Sequence, residues 1–194
     1  MMANDLNVNV LVLDTEVYSN TGGQSSKASQ ASSIGLFAAG GKTLAKKDLG
    51  QLFMEYGTAY VASISLGANQ TQAIKALQEA ESYPGPSLVI AYSPCIEHGI
   101  KGGLTYSSNV QKNAVACGYV PLYRFDPRNE KPLTVDSKTP DWGKFQAFLM
   151  NEARYFNLPR LKGEDAAESM FTKTLTDAKI RYEKLIQKQK LQEA

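Results

Sequence analysis

Residues 11–26 read LVLDTEVYSNTGGQSS, an apolar run that stops at an acid and a threonine and passes into a polar loop with two adjacent glycines. The run closes VNVLVLD (8–14), whose β-branched character reads as a buried strand. YVASISL (60–66) and SLVIAY (87–92) have the same character. Between them the apolar spacing changes to a helical period. KKDLGQLFMEYG (46–57) sets Leu49, Leu52, Phe53 and Tyr56 one turn apart, with Gly57 as a stop. Asn69 followed by Gln72 has the form of a capping box and opens a helix through Ala73, Ala76, Leu77 and Ala80, which YPGP ends. Strands alternating with helices in this way predict an α/β fold, a mostly parallel sheet flanked by helices.

Further along, Ser108 with Gln111 is a candidate cap for a helix that sets Val110, Ala114 and Cys117 on one face and stops at Gly118. VPLYRF (120–125) is then a fourth strand. PRNEKPLTVDSKTPD (127–141), rich in proline and charge, reads as an irregular surface arm that builds no core. Asp141 is placed to cap a helix carrying Phe145, Phe148, Leu149 and Phe156. A C-terminal helix over about 164–190 repeats Phe171, Leu175, Ala178, Tyr182 and Leu185 at helical spacing, with acids at its start and lysines at its end, and is expected to pack on a partner surface. The organisation that follows is an α/β domain over 1–126, an arm and helix over 127–163 and a helical extension over 164–194.

Composition narrows the function classes. A chain of 194 residues with 43% apolar content is long enough for one sizeable core. Its 21 basic and 19 acidic residues are scattered, so no basic stripe points to nucleic acid. No apolar run approaches the roughly 18 residues that cross a bilayer, and MMANDLNVNV is not a signal peptide, so the expectation is a cytoplasmic protein without membrane or nucleic-acid partners. In a reducing compartment Cys95 and Cys117 have no reason to pair.

Ligands of open parallel sheets bind beyond the carboxyl ends of the strands. The tails here are Asp14-Thr15, Gly67-Ala68-Asn69, Ser93-Pro94-Cys95 and Asp126-Pro127, which puts the unusual polar residues on one expected rim. The loop after the first strand offers a hydroxyl, backbone carbonyls, an amide and Gly22-Gly23, whose bare backbone can approach a phosphate. A hydroxyl and a carbonyl suit magnesium, which takes about six oxygens and few carboxylates. The plainer alternative is that Asn20, Thr21, Gly22 and Gly23 only make a turn. Cys117 falls at helical spacing with apolar residues and reads as core. His98, the single histidine, forms a Cys-x-x-His pair with Cys95, but a structural zinc site needs four protein ligands, so it reads as a surface loop residue, with a catalytic base as the alternative.

DTEVYSNTGGQSSKAS and YGTAYVASISLGANQTQAIKALQEAESYPGPSLVIAYSPCIEHG closely resemble the thiamine-diphosphate domain of the pyruvate:ferredoxin (flavodoxin) oxidoreductases, the likeness covering roughly residues 5–160. The resemblance implies a thiamine-diphosphate-binding fold and oxidative decarboxylation of pyruvate. Coenzyme A collects the acetyl group, and electrons pass through iron–sulfur clusters to ferredoxin or flavodoxin. On this resemblance the Thr15 hydroxyl and the Val17 carbonyl match magnesium ligands. Asn20 matches a catalytic polar group near the thiazolium and the bound 2-oxoacid, and the loop through Thr21, Gly22 and Gly23 holds the magnesium diphosphate. Cys95 matches one of four cysteine ligands to the 4Fe-4S cluster nearest the thiamine.

The family's Gly-Asp-Gly segment, whose Asp also binds magnesium, and its three other cluster cysteines would lie upstream of Met1. The domains that hold the aminopyrimidine ring, two further clusters and coenzyme A are likewise not in this sequence. The expectation is therefore a part of a larger, homodimeric enzyme that binds thiamine diphosphate weakly alone and leaves an open sheet edge. Two other readings stand beside it: an oxidoreductase for another 2-oxoacid, and a non-catalytic remnant that serves as an assembly module.

Overall fold

The computed structural model describes residues 6–192. Its centre is a five-stranded sheet in the order β1-β5-β4-β6-β7, built from β1 (Asn9–Asp14), β4 (Tyr60–Ile64), β5 (Ser87–Tyr92), β6 (Tyr123–Phe125) and β7 (Leu133–Val135). β1, β5 and β4 are parallel, while β6 and β7 run antiparallel to their neighbours. A two-stranded ribbon, β2 (Val17–Tyr18) with β3 (Gln24–Ser25), stands on the carboxyl end of β1. The α/β expectation with a parallel-dominated sheet and a C-terminal helix therefore holds, in a form compatible with a thiamine-diphosphate-binding fold.

β4 is the central strand, and all five of its residues are buried. Its alternation sends Tyr60, Ala62 and Ile64 against Ala73, Ala76 and Ala80 of α2 (Gln70–Ser82), and Val61 toward Met54 of α1 (Leu49–Met54) and Leu185 of the last helix. Asn69 caps α2, its side chain accepting from Gln72 N at 3.0 Å, but the box does not close, since the Gln72 amide donates to Ser63 O at 3.2 Å and Asp136 Oδ2 at 3.0 Å instead. α1 is shorter than expected and presents a different face. Gly50 and Met54 are buried, whereas Leu52 and Tyr56 are about half exposed. Gly50 decides this, because a Cβ there would collide with the Tyr123 hydroxyl, so α1 rests on the sheet at the one residue that lets it approach.

The second half departs from its sequence pattern in four places. Strand 120–125 shrinks to β6, and because β6 is antiparallel, Asp126 lies on the opposite rim, where it pairs with Arg128 at 2.7 Å. The 127–141 arm contributes β7, whose Leu133 is buried, so it does build core. α3 (Ser107–Ala116) has no side-chain cap; Gln111 instead accepts from Ser65 Oγ at 3.1 Å and Gly67 N at 2.9 Å, tying α3 to the tail of β4. The segment after Asp141 is a 3-10 turn (Trp142–Lys144) followed by α4 (Phe145–Leu149) and α5 (Ala153–Phe156), and Asp141 pairs with Lys144 at 3.0 Å rather than capping a helix.

α6 (Leu158–Lys162) leads into α7 (Glu164–Leu191), the long helix. Its Phe171, Ala178 and Leu185 are buried, and it packs against α4, α6 and β7 of its own chain. Cys117, Tyr119, Phe145, Phe148, Tyr155, Leu158 and Phe171 share one core beneath the carboxyl rim.

Candidate functional site

At the end of β1 the chain turns through Thr15 and Glu16 into the β2–β3 ribbon. Glu16 has φ +63°, a left-handed conformation that costs a non-glycine residue on the order of 1 kcal/mol. Buried charge holds it there. Its carboxylate meets Arg154 Nη2 at 2.7 Å, Lys46 Nζ at 3.3 Å and the Tyr119 hydroxyl at 2.7 Å, and its carbonyl accepts from Ser26 and Ser29 hydroxyls at 2.8 and 2.5 Å. Burial alone would push Glu16 up; the charges of Lys46 and Arg154, with the Tyr119 hydrogen bond, overcome it and lower the carboxyl to about 2. Arg154 also binds Glu152 Oε2 through Nε at 2.7 Å, and Tyr155 shares a hydrogen bond with Tyr119 at 2.8 Å.

Pointing Glu16 inward leaves its two neighbours to converge. The Thr15 hydroxyl donates to the Val17 carbonyl at 3.1 Å. Two adjacent ligands of an octahedral magnesium with 2.0–2.1 Å bonds stand about 3 Å apart, so this pair fits the ion as two of its six oxygens. Asp14 is not spare: one oxygen accepts from Glu16 N at 3.0 Å and the other pairs with Lys46 at 2.6 Å.

Residues 19–23 form the tip of the ribbon. Gly22 N donates to Ser19 O at 3.1 Å and Gly23 N to Tyr18 O at 3.0 Å, so the two amides close the turn and are not spare donors for a phosphate. What the glycines offer is the absence of side chains; a Cβ on Gly23 would come 2.9 Å from Glu97 Oε2. Asn20 and Thr21 are exposed at the tip, Thr21 engaging Gln24.

Cys95 follows β5 and begins a 3-10 turn (Ile96–His98). It is 7% exposed; its thiol donates to Ser19 Oγ at 3.1 Å, and its sulfur accepts from Glu97 N at 3.5 Å. Thr15, Val17 and Cys95 are thus brought together, whereas Cys117 is buried in the core and its thiol is pushed up to about 12 by burial. Among the described residues no group of three or more His, Cys, Asp or Glu is placed to hold a metal ion.

His98 corrects its reading as a surface residue. The turn tucks the ring under β1, fully buried, with Nε2 donating to the Thr15 carbonyl at 2.8 Å and Nδ1 accepting from Cys95 N at 3.4 Å. Burial, then the Arg154 charge, lowers it to about 4, so it is a neutral prop that links the two loops. Sequence reasoning also missed Glu16, Arg154, Glu152 and Lys46. The nearest signal was the acid lodged between two candidate ligands. A cavity of about 130 Å³ lies behind Glu16, Lys46, Tyr92 and Tyr119, but none of Thr15, Val17, Asn20 and Cys95 lines it.

No protein-family model matches the chain. Over 187 residues it is 54% identical to a pyruvate:ferredoxin oxidoreductase of Moorella thermoacetica, a match covering 94% of this chain and 16% of that protein. It is 46% identical over 186 residues to a pyruvate-flavodoxin oxidoreductase of Klebsiella pneumoniae, with the same coverage. A mitochondrial pyruvate dehydrogenase [NADP(+)] of Euglena gracilis is 45% identical over 96% of this chain and 11% of its own length. The likeness drawn from residues 14–29 and 56–99 thus extends over nearly the whole chain, which spans about one sixth of the length of the first two relatives, 16% of each.

Proposed function

We propose that this chain, matched nearly end to end by a segment of pyruvate:ferredoxin and pyruvate-flavodoxin oxidoreductases, forms part of the thiamine-diphosphate and proximal-cluster site of such an enzyme. The complete protein is a cytoplasmic homodimer. It converts pyruvate and coenzyme A to acetyl-CoA and CO2 and passes the electrons through iron–sulfur clusters to ferredoxin or flavodoxin. Thiamine diphosphate, when bound, supplies the carbanion and radical chemistry.

This chain's residues position that chemistry. Thr15 Oγ1 and Val17 O hold the magnesium; Glu16, fixed by Arg154, keeps them converged. Thr21, Gly22 and Gly23 shape the ribbon against which the diphosphate lies, and the exposed Asn20 presents its amide to the 2-oxoacid. Cys95 supplies one thiolate of the four that a 4Fe-4S cluster needs. The remaining ligands and the wall around the aminopyrimidine come from other domains of the same enzyme.

The observation that carries the reading is that the oxygen pair and the sulfur, matched to different inorganic partners, lie on one rim joined by Ser19. The Euglena relative, named for NADP(+), matches about as well as those named for flavodoxin, so the segment serves a step common to different acceptors. In the full-length protein, Cys95→Ala is expected to lower iron content and stop electron flow from thiamine to ferredoxin. Thr15→Ala is expected to weaken magnesium-dependent binding of thiamine diphosphate at least tenfold. Normal iron in the first variant, or unchanged cofactor binding in the second, refutes the corresponding assignment.

A further inference from the structure

Ser19 stands between the two places where this reading puts inorganic partners and touches both. Its Oγ is 3.2 Å from Thr15 Oγ1 and 3.1 Å from Cys95 Sγ, and Thr15 Oγ1 is in turn 3.1 Å from Val17 O. The result is a line of four atoms: sulfur, hydroxyl, hydroxyl, carbonyl. Each hydroxyl has one hydrogen to give, so the protons in such a line all point one way or all point the other.

With a thiol at one end, the line runs toward the carbonyl: Cys95 donates to Ser19, Ser19 to Thr15, and Thr15 to Val17. A sulfur that binds iron as a thiolate has no proton and can only accept. A Thr15 oxygen that gives a lone pair to a cation shared with the Val17 carbonyl must turn its own hydrogen away from that carbonyl. The free neighbour in its direction is Ser19 Oγ. Both events therefore ask for the same reversal, with Thr15 donating to Ser19 and Ser19 donating to the sulfur.

We infer that Ser19 is a positioning residue that couples the cation loop to the cluster sulfur, its hydroxyl turning so that occupation of either site favours the proton arrangement the other requires. The inference rests on the reading of Thr15 and Val17 as cation ligands and Cys95 as a cluster ligand. A hydrogen bond to a ligating sulfur stabilises the more negative, reduced cluster and so raises its potential. Glu97 N, 3.5 Å from Sγ, is a second donor that does not depend on the cation, so removing the serine hydroxyl leaves the sulfur with one. The backbone of Ser19 is held by the turn, its carbonyl accepting from Gly22 N at 3.1 Å, and that bond survives loss of the side chain.

The test uses the full-length protein carrying this chain, purified anaerobically as wild type, Ser19→Ala and Ser19→Thr. Iron and thiamine diphosphate contents are measured first. The midpoint potential of the cluster nearest the thiamine is then titrated by electron paramagnetic resonance with and without magnesium and thiamine diphosphate. In the wild type, loading the cofactor is expected to move the potential in the positive direction. Ser19→Ala should keep its iron, have a more negative potential and lose most of the loading response; Ser19→Thr should restore both. A wild-type potential that ignores loading overturns the inference, and so does a Ser19→Ala protein with wild-type potential and response. Should Ser19→Ala fail to hold iron, Ser19→Thr decides: a wild-type response sustains the coupling and an absent one refutes it. Failure of the underlying reading is seen separately, as undiminished iron in Cys95→Ala or undiminished cofactor binding in Thr15→Ala.

Discussion

The two edges of the sheet are finished differently. At β7, α7 lies along the free edge, and Gln189 and Gln192 accept hydrogen bonds from Val135 N and Leu133 N, each at 2.6 Å. Those side chains occupy the amide groups by which an edge strand recruits another strand. At β1 the described residues pair only with β5, and Leu11 and Leu13 are 54% and 65% exposed. The closed edge is held by apolar packing and carries no candidate ligand. The open edge belongs to the strand that delivers Thr15 and Val17, and its ordering comes from a buried charge network. The contrast teaches that this chain spends packing on one side of the sheet to fix its shape, and electrostatics on the other to aim a loop.

The largest effect that can break this contrast is expected from Arg154→Met. It leaves Glu16 and Glu152 as buried carboxylates without their shared partner and should cost about 3–5 kcal/mol. Urea denaturation checks it, and a loss below about 1 kcal/mol would mean that the network does not hold the loop. On the closed side, Leu185→Ala removes a side chain packed between α1, β4 and β7 and should cost about 2–4 kcal/mol. If the chain is no less stable, α7 is an appendage and not part of the core.

The third expectation concerns pH. His98 is lowered to about 4 in the folded chain from an ordinary value near 6.5, so the unfolded chain takes up a proton first as pH falls. The stability it contributes is complete above pH 6.5 and lost as pH falls toward 4, on the order of 3 kcal/mol. Glu16, lowered to about 2, loses its contribution only below about pH 4.5. Burial pushes Glu152 up, which works in the opposite sense as that carboxyl takes up its proton, so His98→Gln is the control that isolates the histidine. Denaturation midpoints at pH 7.5 and 5.5 should differ in the wild type and converge in His98→Gln.

The smallest effects sharpen the comparison of the edges. Gln192→Ala should cost about 1 kcal/mol and speed amide exchange at Leu133. Leu13→Lys, on the open side, should change stability by less than about 0.5 kcal/mol while reducing self-association measured by light scattering. If Leu13→Lys proves the more destabilising of the two, β1 is not the unfinished edge.

Several features were legible because they are local. Asn69 and Gln72 announced α2, the apolar spacing from Phe171 to Leu185 announced α7, and the run ending at Asp14 announced β1, although it reads as a buried strand and none of the residues of β1 is buried. The site was legible in part. Thr15, Val17 and Cys95 were singled out by their match to a known family and by their place at strand ends, and the fold brings them together. Ser19, which joins them, and Glu16, which aims them, carried no periodic or spacing signal.

By itself the sequence determined that β1, β4, β5, α2 and α7 form, the parallel half of the sheet and the segment that forms the rim, since these follow from side-chain periodicity and capping over a few residues. Only the tertiary structure decided the direction of β6, the burial of His98 and the left-handed turn at Glu16. Each depends on partners distant along the chain, as when Glu16 meets Tyr119 and Arg154, and the cost of burying a charge is met only once those partners have folded around it.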